Sequence, residues 1–481
     1  MNPRVIMRTI PILIAGIALP LAAWADRGEA RQSARRPNIV FIFTDQQHAG
    51  MLSCAGNPHA KTPAMDSLAR SGARFELAYC ANPVCVPSRF SMMTGVLPSR
   101  IGMEDNSGVR LKVPPEVLAH ALGRVFRGAG YETVYGGKVH TPMGVPAMGF
   151  DLLSRDQRGG LADACAGFVR KKHDRPFLLV ASFINPHDIC YMAIRDFAEK
   201  SGTREKLLDN ARVELQALSE ALQLPAGISR EDFFARVCPP LPANFEIPAG
   251  EPEAVLRADA RNFRTYARQK WGAEPWRLHR WAYARLTERV DAEIGRVLAA
   301  LREAGLEENT LVVFSSDHGD MDSAHRLEHK AVLYEESARV PLLVSWKGVT
   351  KAGLVDREHL VSTGLDLIPT LCDFAGIPSP PELKGRSVRG LSEGRRPASW
   401  RDSLVVENGR SRMLRTDRFK YIVYESGSPR EQLIDLKEDP GEMKNLASDA
   451  AYTDVLKRHR RLLRQWYEEN RETLGEKYVA G

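Results

Sequence analysis

The chain has 481 residues, of which 43% are hydrophobic and 26% charged. This is the composition of an ordinary globular protein with room for two or three domains, and it excludes a disordered or fibrous chain. The formal net charge is +7, and removal of Arg4 and Arg8 with an N-terminal leader lowers it to +5. A charge this small does not favour a nucleic-acid partner.

The first 25 residues have the pattern of a signal peptide. A short basic start precedes an apolar stretch from Ile10 to Ala23, and Ala23-Trp24-Ala25 forms a small-x-small cleavage site. The alternative is a membrane anchor, but the unbroken apolar run is shorter than the roughly 20 residues that span a bilayer. We expect a signal peptide over residues 1–25, a periplasmic or secreted protein, and no membrane span after its removal.

Apolar runs typical of buried strands then alternate with helical patterns. The predicted strands are Pro37–Thr44, Tyr131–Gly136, Pro176–Phe183, Thr310–Ser315 and Val340–Trp346. Helices are predicted over Glu116–Arg127 and over Trp281–Ala304, whose apolar residues fall on one face. This alternation predicts an α/β fold over residues 26–385, with a large, mainly parallel sheet sandwiched by helices.

Two regions depart from that pattern. Residues 195–280 are rich in charge and proline, which indicates an insertion packed against the core. From residue 386 the pattern changes to short strands and a final helix, predicted over Ser403–Glu407, Arg412–Tyr424, Gln432–Leu436 and Ala451–Asn470. We therefore expect a smaller C-terminal subdomain over residues 386–481, with an antiparallel sheet and a helix.

Polar side chains follow two of the predicted strands. The first strand ends in Thr44-Asp45-Gln46-Gln47-His48, and the strand at 310–315 runs into Ser316-Asp317-His318-Gly319-Asp320. Each aspartate by itself also fits a helix cap or a turn. Two such ends on one sheet favour a divalent cation, because a hard cation needs oxygen ligands that converge from separate segments.

A third segment, Asn82-Pro83-Val84-Cys85-Val86-Pro87-Ser88-Arg89, precedes a helix predicted over Phe90–Thr94. An arginine and a helix N-terminus both favour a bound anion. A cysteine is commonly a small buried apolar residue, and Cys85 is one of seven. Because seven is odd, at least one cysteine of an exported chain has no partner within the chain.

Cys85-Val86-Pro87-Ser88-Arg89 resembles the C-x-P-S-R signature of the sulfatase family, within the alkaline-phosphatase-like superfamily. The resemblance runs from about Arg36 to the end of the chain. It includes Gly136-Gly137-Lys138-Val139-His140, Asn185-Pro186-His187-Asp188, Ser316-Asp317-His318-Gly319-Asp320, Lys330 and Ile434-Asp435-Leu436-Lys437-Glu438-Asp439-Pro440.

The resemblance implies that a maturation enzyme oxidises Cys85 to formylglycine (3-oxoalanine). A sulfate ester is a poor electrophile, so the nucleophile must be activated and the anionic oxygens neutralised. A hydrated aldehyde carries two hydroxyls on one carbon. One attacks sulfur, and the other then loses its proton to expel sulfate.

The resemblance also assigns roles by position. Asp45, Gln46, Asp317 and His318 correspond to the metal ligands, with the formylglycine at Cys85 completing the set. Arg89 corresponds to the residue that steadies the formylglycine and the metal site. Lys138 and Lys330 correspond to the cations that bind the sulfate. His140 corresponds to the residue that takes the proton when sulfate leaves, and His187 corresponds to the general acid for the leaving alcohol. Taken singly, the lysines also fit solvated surface charges, and the histidines fit structural roles.

Two departures affect the metal. Many sulfatases carry a second aspartate where this chain has Gln46, and an asparagine where it has His318. Fewer charged oxygens and one nitrogen suit calcium less well, so Ca²⁺ is expected with Mg²⁺ or Mn²⁺ as alternatives. His325 and His329 are candidate substrate-pocket residues, with a surface role as the alternative.

The expected function is therefore sulfuric ester hydrolysis, with a sulfated carbohydrate as the substrate. Phosphonate or phosphate ester hydrolysis is the alternative, because the superfamily shares this metal site. A non-catalytic, anion-binding exported protein is a third possibility, but such a protein has no reason to keep the nucleophile signature.

Overall fold

The computed structural model describes Met1 and residues 36–257, 261–470 and 475–478. The predicted signal peptide therefore lies, apart from Met1, outside the described residues. Among the described helices, none combines the length and the apolar character needed to cross a bilayer.

Fourteen strands are described, in three sheets. They are β1 Asn38–Asp45, β2 Ala73–Phe75, β3 Ala78–Tyr79, β4 Glu132–Gly137, β5 Asp151–Ser154, β6 Phe177–Pro186, β7 Thr310–Ser316, β8 Leu342–Ser345, β9 Leu354–Asp356, β10 Val361–Ser362, β11 Ser403–Asn408, β12 Ser411–Thr416, β13 Phe419–Tyr424 and β14 Glu431–Asp435. The largest sheet has the order β5-β4-β6-β1-β7-β8-β2-β9.

The α-helices pack mainly around this sheet. They are α1 Pro63–Ser71, α2 Cys85–Thr94, α3 Pro115–Ala119, α4 Leu122–Gly128, α5 Gly159–Val169, α6 Cys190–Ser201, α7 Arg212–Ala221, α8 Arg230–Arg236, α9 Glu253–Arg257, α10 Asn262–Lys270, α11 Ala273–Glu303, α12 Glu335–Ala338, α13 Leu367–Ala375, α14 Arg389–Ser392 and α15 Thr453–Asn470.

The central strand β1 shows why the sheet is covered on both faces. Its residues are all buried, and they alternate between two cores. Phe41 and Phe43 pack with α2 and α13 on one face, while Val40 and Ile42 pack with α5 and α11 on the other. A strand that is buried on both faces has a continuous run of apolar residues in its sequence. This run is the pattern from which the strand was predicted.

The predicted fold class is confirmed: the large sheet is mainly parallel, with β8 antiparallel to β7. Three local predictions were wrong in detail. The helix predicted over Glu116–Arg127 is divided into α3 and α4, because Ala121 has an extended backbone with ψ 135°. The strand predicted over Arg412–Tyr424 is divided into β12 and β13, because the Thr416 hydroxyl accepts a hydrogen bond from the Phe419 N–H and closes a turn. The helix predicted over Phe90–Thr94 begins earlier, at Cys85.

The remaining elements surround the sheet. Helices of the 195–280 region pack on α11 around Trp276, Tyr283 and Leu286. The antiparallel sheet β11-β12-β13-β14 carries α15 on one face, through Leu414, Leu433 and Leu463. Residues 37–481 form one compact unit, and the domain boundary at 385/386 stays a prediction.

Candidate active site

Four neighbouring parallel strands bring the predicted residues to one edge of the sheet. β4, β6, β1 and β7 are adjacent and parallel, so their carboxyl ends lie side by side. Asp45 ends β1, whereas Lys138, His187 and Asp317 directly follow β4, β6 and β7. Side chains that are far apart in the sequence therefore converge.

Cys85 lies at the centre of this convergence, as the first residue of α2. Its Sγ is 3.0 Å from Lys330 Nζ, 3.2 Å from His318 Nε2 and 3.7 Å from Asp45 Oδ1. The helix can start here because Pro87 lies in its first turn, where a backbone N–H would have no helical partner. The side chain is thus buried at a helix N-terminus and faces a lysine ammonium, an imidazole and a carboxylate.

The charges around Cys85 distinguish it from the other cysteines. Burial and Asp45 raise the pKa of the Cys85 thiol, but Lys330, Lys138 and His318 outweigh them and hold it well below its usual range. Burial raises the thiol pKa at each of the other six cysteines, for example to about 12 at Cys165. All seven are free of disulfides.

Arg89 joins the two carboxylates of the site. Its Nε donates to Asp317 Oδ2 at 2.7 Å, and its Nη2 donates to Asp45 Oδ2 at 2.8 Å. Its Nη1 donates to the backbone oxygen of Lys138 at 2.8 Å and to Ser182 Oγ at 2.7 Å. Arg89, Asp45 and Asp317 are all fully buried. The guanidinium therefore fixes the spacing of the strand ends that carry the carboxylates.

Asp45, Cys85, Asp317 and His318 form a buried group that fits a metal ion. Their ligand atoms all lie within 4.8 Å of one another. His318 Nδ1 lies 2.9 Å from the backbone oxygen of Gly319, so it carries the proton and leaves Nε2, which faces Cys85, free to bind a metal. Two carboxylates and one imidazole are a donor set that divalent cations accept in proteins.

Gln46 lies beside this group with an unusual backbone. Its φ is +70°, and its N–H donates to Asp317 Oδ1 at 3.1 Å. The side-chain oxygen Oε1 accepts a hydrogen bond from Lys330 Nζ at 2.7 Å. Gln46 Oε1 therefore lies against the same ammonium group that contacts Cys85.

Two lysines reach the site. Lys138 Nζ donates to Asp45 Oδ2 at 2.6 Å, while Lys330 Nζ lies 3.8 Å from Asp45 Oδ1. Lys138 follows a position that requires glycine. The φ of Gly137 is +94°, and a Cβ at residue 137 would lie 2.0 Å from the Ser182 backbone oxygen. With Arg89, three cations face two carboxylates. This surplus of positive charge suits an anionic ligand.

Two histidines lie at the more exposed side of the site. His140 and His187 are half-buried, and the Nδ1 of each is buried without a hydrogen-bond partner among the described residues. Burial, Lys138 and Lys330 lower the pKa of His187 to about 3, so this imidazole is neutral at neutral pH. Each ring therefore has one nitrogen whose hydrogen-bonding capacity is not used by the described residues.

His325 and His329 are both buried, so the surface alternative is wrong for both. His325 stacks on Tyr334, with ring centroids 4.2 Å apart and an interplanar angle of 8°. His329 Nδ1 lies 3.1 Å from Gln46 Nε2 and 2.9 Å from Cys190 Sγ. Of the two, only His329 has a described side-chain hydrogen bond to a predicted site residue.

Three residues that were not predicted as site residues touch predicted ones: Cys190, Ser182 and Asp320. Cys190 Sγ donates to Gln46 Oε1 at 3.1 Å, and Asp320 Oδ2 accepts from Gln46 Nε2 at 2.6 Å. The position of Asp320 in the Ser316–Asp320 motif was the available signal. Ser182 is an interior strand residue and carries no such signal.

Comparison with known proteins agrees with this geometry. The Sulfatase family matches residues 37–157 and 158–377 of the chain. A second match, described as N-sulphoglucosamine sulphohydrolase, C-terminal, covers residues 323–469. This chain belongs to the sulfatase family. Sulfatases are sulfuric ester hydrolases, and they generally use formylglycine and a divalent metal.

Individual relatives match this sulfatase over nearly its whole length. It is 29% identical over 464 residues to the Delta 4,5-hexuronate-2-O-sulfatase of Bacteroides thetaiotaomicron, covering 91% of this chain and 90% of that protein. The solved structure of a 2-O GAG sulfatase matches with a TM-score of 0.76 and 27% identity, covering 93% and 94% of the two chains. A phosphonate monoester hydrolase of Agrobacterium radiobacter shares the fold, with a TM-score of 0.70, 21% identity and coverage of 90% and 96%.

Proposed function

We propose that this sulfatase hydrolyses sulfate esters of a carbohydrate through a formylglycine formed from Cys85, with a divalent metal at Asp45, Gln46, Asp317 and His318. The observation that carries this proposal is the position of Cys85 Sγ, between Lys330 Nζ at 3.0 Å and His318 Nε2 at 3.2 Å. A group at this position touches both a cation and the metal-ligand group.

The metal would supply Lewis-acid polarisation of the sulfate and a lower pKa for the attacking hydroxyl. Asp45, Asp317 and His318 would hold it, with Gln46 Oε1 as an uncharged oxygen ligand. Arg89 keeps the two carboxylates in register by its bonds to both. We expect Ca²⁺, with Mg²⁺ or Mn²⁺ as alternatives because of the imidazole and the amide.

Lys138 and Lys330 would bind the sulfate oxygens. Each ammonium lies within 4 Å of an Asp45 oxygen, and Lys330 Nζ also lies 3.0 Å from Cys85 Sγ. Fixed cations in a buried site stabilise the charge that develops on the sulfate during attack, because little reorganisation is needed.

The two histidines would transfer the protons. His140 would take the proton that is released when sulfate is expelled, and His187 would donate a proton to the leaving alcohol. His187 is neutral in the free protein because its pKa is about 3. Bound anionic sulfate would favour the imidazolium, so the donor would form as the substrate binds.

A sulfated carbohydrate is the substrate class that the relatives support. A hexuronate-2-O-sulfatase and a 2-O GAG sulfatase both match almost the full chain. The exported location and the action of a formylglycine-generating enzyme belong to the same proposal. The signal-peptide pattern in residues 1–25 supports the first, and the Cys85–Arg89 signature supports the second.

The reaction is tested by comparing turnover of an aryl sulfate, an aryl phosphate and an aryl phosphonate by the matured protein. We expect the largest kcat/KM for the sulfate. A preference for either phosphorus ester would replace the proposal by the phosphonate or phosphate alternative. Absence of turnover on all three and of sulfate release from a 2-O-sulfated uronate disaccharide, with Cys85 matured and metal supplied, would leave only the anion-binding alternative.

A further inference from the structure

We infer that Asp320 and His329 are positioning residues that orient the Gln46 amide with its oxygen toward the metal site. The inference rests on the proposed metal site and concerns residues outside its ligand set. Asp320 Oδ2 lies 2.6 Å from Gln46 Nε2, and His329 Nδ1 lies 3.1 Å from the same nitrogen.

An amide ligand has an orientation problem that a carboxylate does not have. Either oxygen of an aspartate can bind a metal, whereas a glutamine that turns over presents NH₂ and cannot bind. Gln46 stands where many sulfatases carry an aspartate, so this chain must fix which end of the amide faces the site.

The neighbours of Gln46 permit one orientation. Lys330 Nζ lies 2.7 Å from Oε1, and an ammonium can only donate. The Asp320 carboxylate lies at the opposite end and accepts. Turning the amide over would place NH₂ against the ammonium and the carbonyl against the carboxylate, so both contacts would become repulsive.

Asp320 is itself fixed as an acceptor. Its Oδ1 accepts from the Asp322 backbone N–H at 2.7 Å, while Oδ2 accepts from Gln46. Both oxygens are therefore occupied by donors, and the residue is fully buried. An asparagine at this position could satisfy only one of the two donors.

His329 and the backbone complete the arrangement. Because His329 Nδ1 faces the Gln46 NH₂ group, it acts as an acceptor and its proton lies on Nε2. The Gln46 backbone is held separately, by its N–H bond to Asp317 and by the Tyr283 hydroxyl, which donates to its oxygen at 2.6 Å. The side-chain orientation is thus left to Asp320 and His329 at the amide nitrogen, and to Lys330 and Cys190 at the amide oxygen, to which Cys190 Sγ donates at 3.1 Å.

The test measures metal affinity in the full chain, stripped with a chelator and titrated with Mn²⁺ while free Mn²⁺ is followed by electron paramagnetic resonance. Asp320→Asn should weaken Mn²⁺ binding by about 10- to 100-fold, as expected for loss of a residue that orients a ligand. The double variant Gln46→Glu/Asp320→Asn should recover most of that loss. In it, the asparagine oxygen accepts from Asp322 while its NH₂ donates to the new carboxylate.

Two further variants distinguish orientation from general damage. His329→Leu should weaken binding, whereas His329→Asn should retain it because the asparagine side chain can place an oxygen near the Nδ1 position. Asp322→Asn is the matched control: its carboxylate is also buried but contacts Arg280 and His48 instead of Gln46. It should bind Mn²⁺ as the wild type does.

Wild-type Mn²⁺ affinity in Asp320→Asn would overturn the inference, and so would a double variant that binds no more tightly than Asp320→Asn alone. Unfolding temperatures in chelator show whether each variant is folded. If Asp320→Asn is not folded, the Mn²⁺ affinities of the double variant, His329→Leu and His329→Asn decide whether the inference holds. A folded wild-type protein that binds none of Mn²⁺, Mg²⁺ or Ca²⁺ would instead refute the proposed function, so the two failures are distinguishable.

Discussion

Lys330 places its Nζ 3.0 Å from Cys85 Sγ, although 245 positions separate the two residues in the chain. The same ammonium contacts Gln46 Oε1 and approaches Asp45, so one cation faces both Cys85 and the candidate metal-ligand residues. Burial makes each of these interactions stronger than it is in water. The site is therefore arranged electrostatically for an anion before any ligand binds.

Cys85→Ala should abolish sulfate ester turnover while leaving the fold intact. Alanine cannot be converted to formylglycine, and it removes only a small side chain at the first position of α2. Activity on an aryl sulfate and the unfolding temperature are measured together.

Cys85→Ser should be nearly as inactive unless a serine-type maturation enzyme is present. The mass of the peptide that contains residue 85 gives an independent measurement, since formylglycine should be found in active protein. Full activity in Cys85→Ala, or an unmodified thiol in fully active protein, would refute the mechanism.

Arg89→Gln should lower the free energy of unfolding by about 3–5 kcal/mol. Removing one partner of a buried ion pair leaves an uncompensated charge, and Arg89 has two such partners, Asp45 and Asp317. Arg89→Lys should lose less stability than Arg89→Gln, because lysine keeps the positive charge. It should still be less stable than the wild type, because lysine cannot make the four hydrogen bonds.

Urea denaturation of metal-free protein measures the Arg89 effect. Arg170→Gln is the control, since Arg170 pairs with Glu303 at the surface and should change stability by less than about 1 kcal/mol. Equal losses for the buried and the exposed arginine would contradict the structural role given to Arg89.

His187→Asn should slow hydrolysis of alkyl sulfates much more than hydrolysis of nitrophenyl sulfate. A poor leaving group needs a proton during bond cleavage, whereas a nitrophenolate leaves without one. We expect about 10²–10⁴-fold loss of kcat for the alkyl ester. Equal losses for both esters would assign His187 to binding instead of proton donation.

The fold was predictable from the sequence because its central strands are buried on both faces. The apolar run of β1 and the one-sided apolar pattern of α11 can be seen in the sequence, and both elements are present in the folded chain. The start of α2 was missed because Pro87 looks like a helix breaker, although a first-turn proline is compatible with a helix.

The site was predictable in its motifs and not in its supporting contacts. Asp45 and Cys85 stand in short motifs and Lys330 is part of the family resemblance, whereas Ser182 and Cys190 come into contact with Arg89 and Gln46 only in the folded chain. His329 shows the limit most clearly. Its position next to Lys330 indicated the site, but its contact with Gln46 depends on a backbone with φ +83° that sequence patterns do not reveal.

His325 should make the protein less stable as the pH falls from about 6.5 toward 3. Burial, Arg268 and Lys420 lower the pKa of His325 to about 3 in the folded protein, whereas an unfolded histidine has a pKa near 6.5. Between these values the unfolded chain binds a proton that the folded chain does not, so acidification favours unfolding. One such proton contributes a slope of at most about 1.4 kcal/mol per pH unit.

His325→Phe isolates this contribution, because phenylalanine can keep the stack on Tyr334 but does not titrate. Urea denaturation of both proteins at pH 7.0 and at several values down to about 4.5 gives the two slopes, and groups common to both cancel in the difference. The variant should be folded at pH 7.0 and should lose less stability on acidification than the wild type. Identical slopes would show that His325 is not the buried, neutral histidine that its packing against Tyr334 indicates.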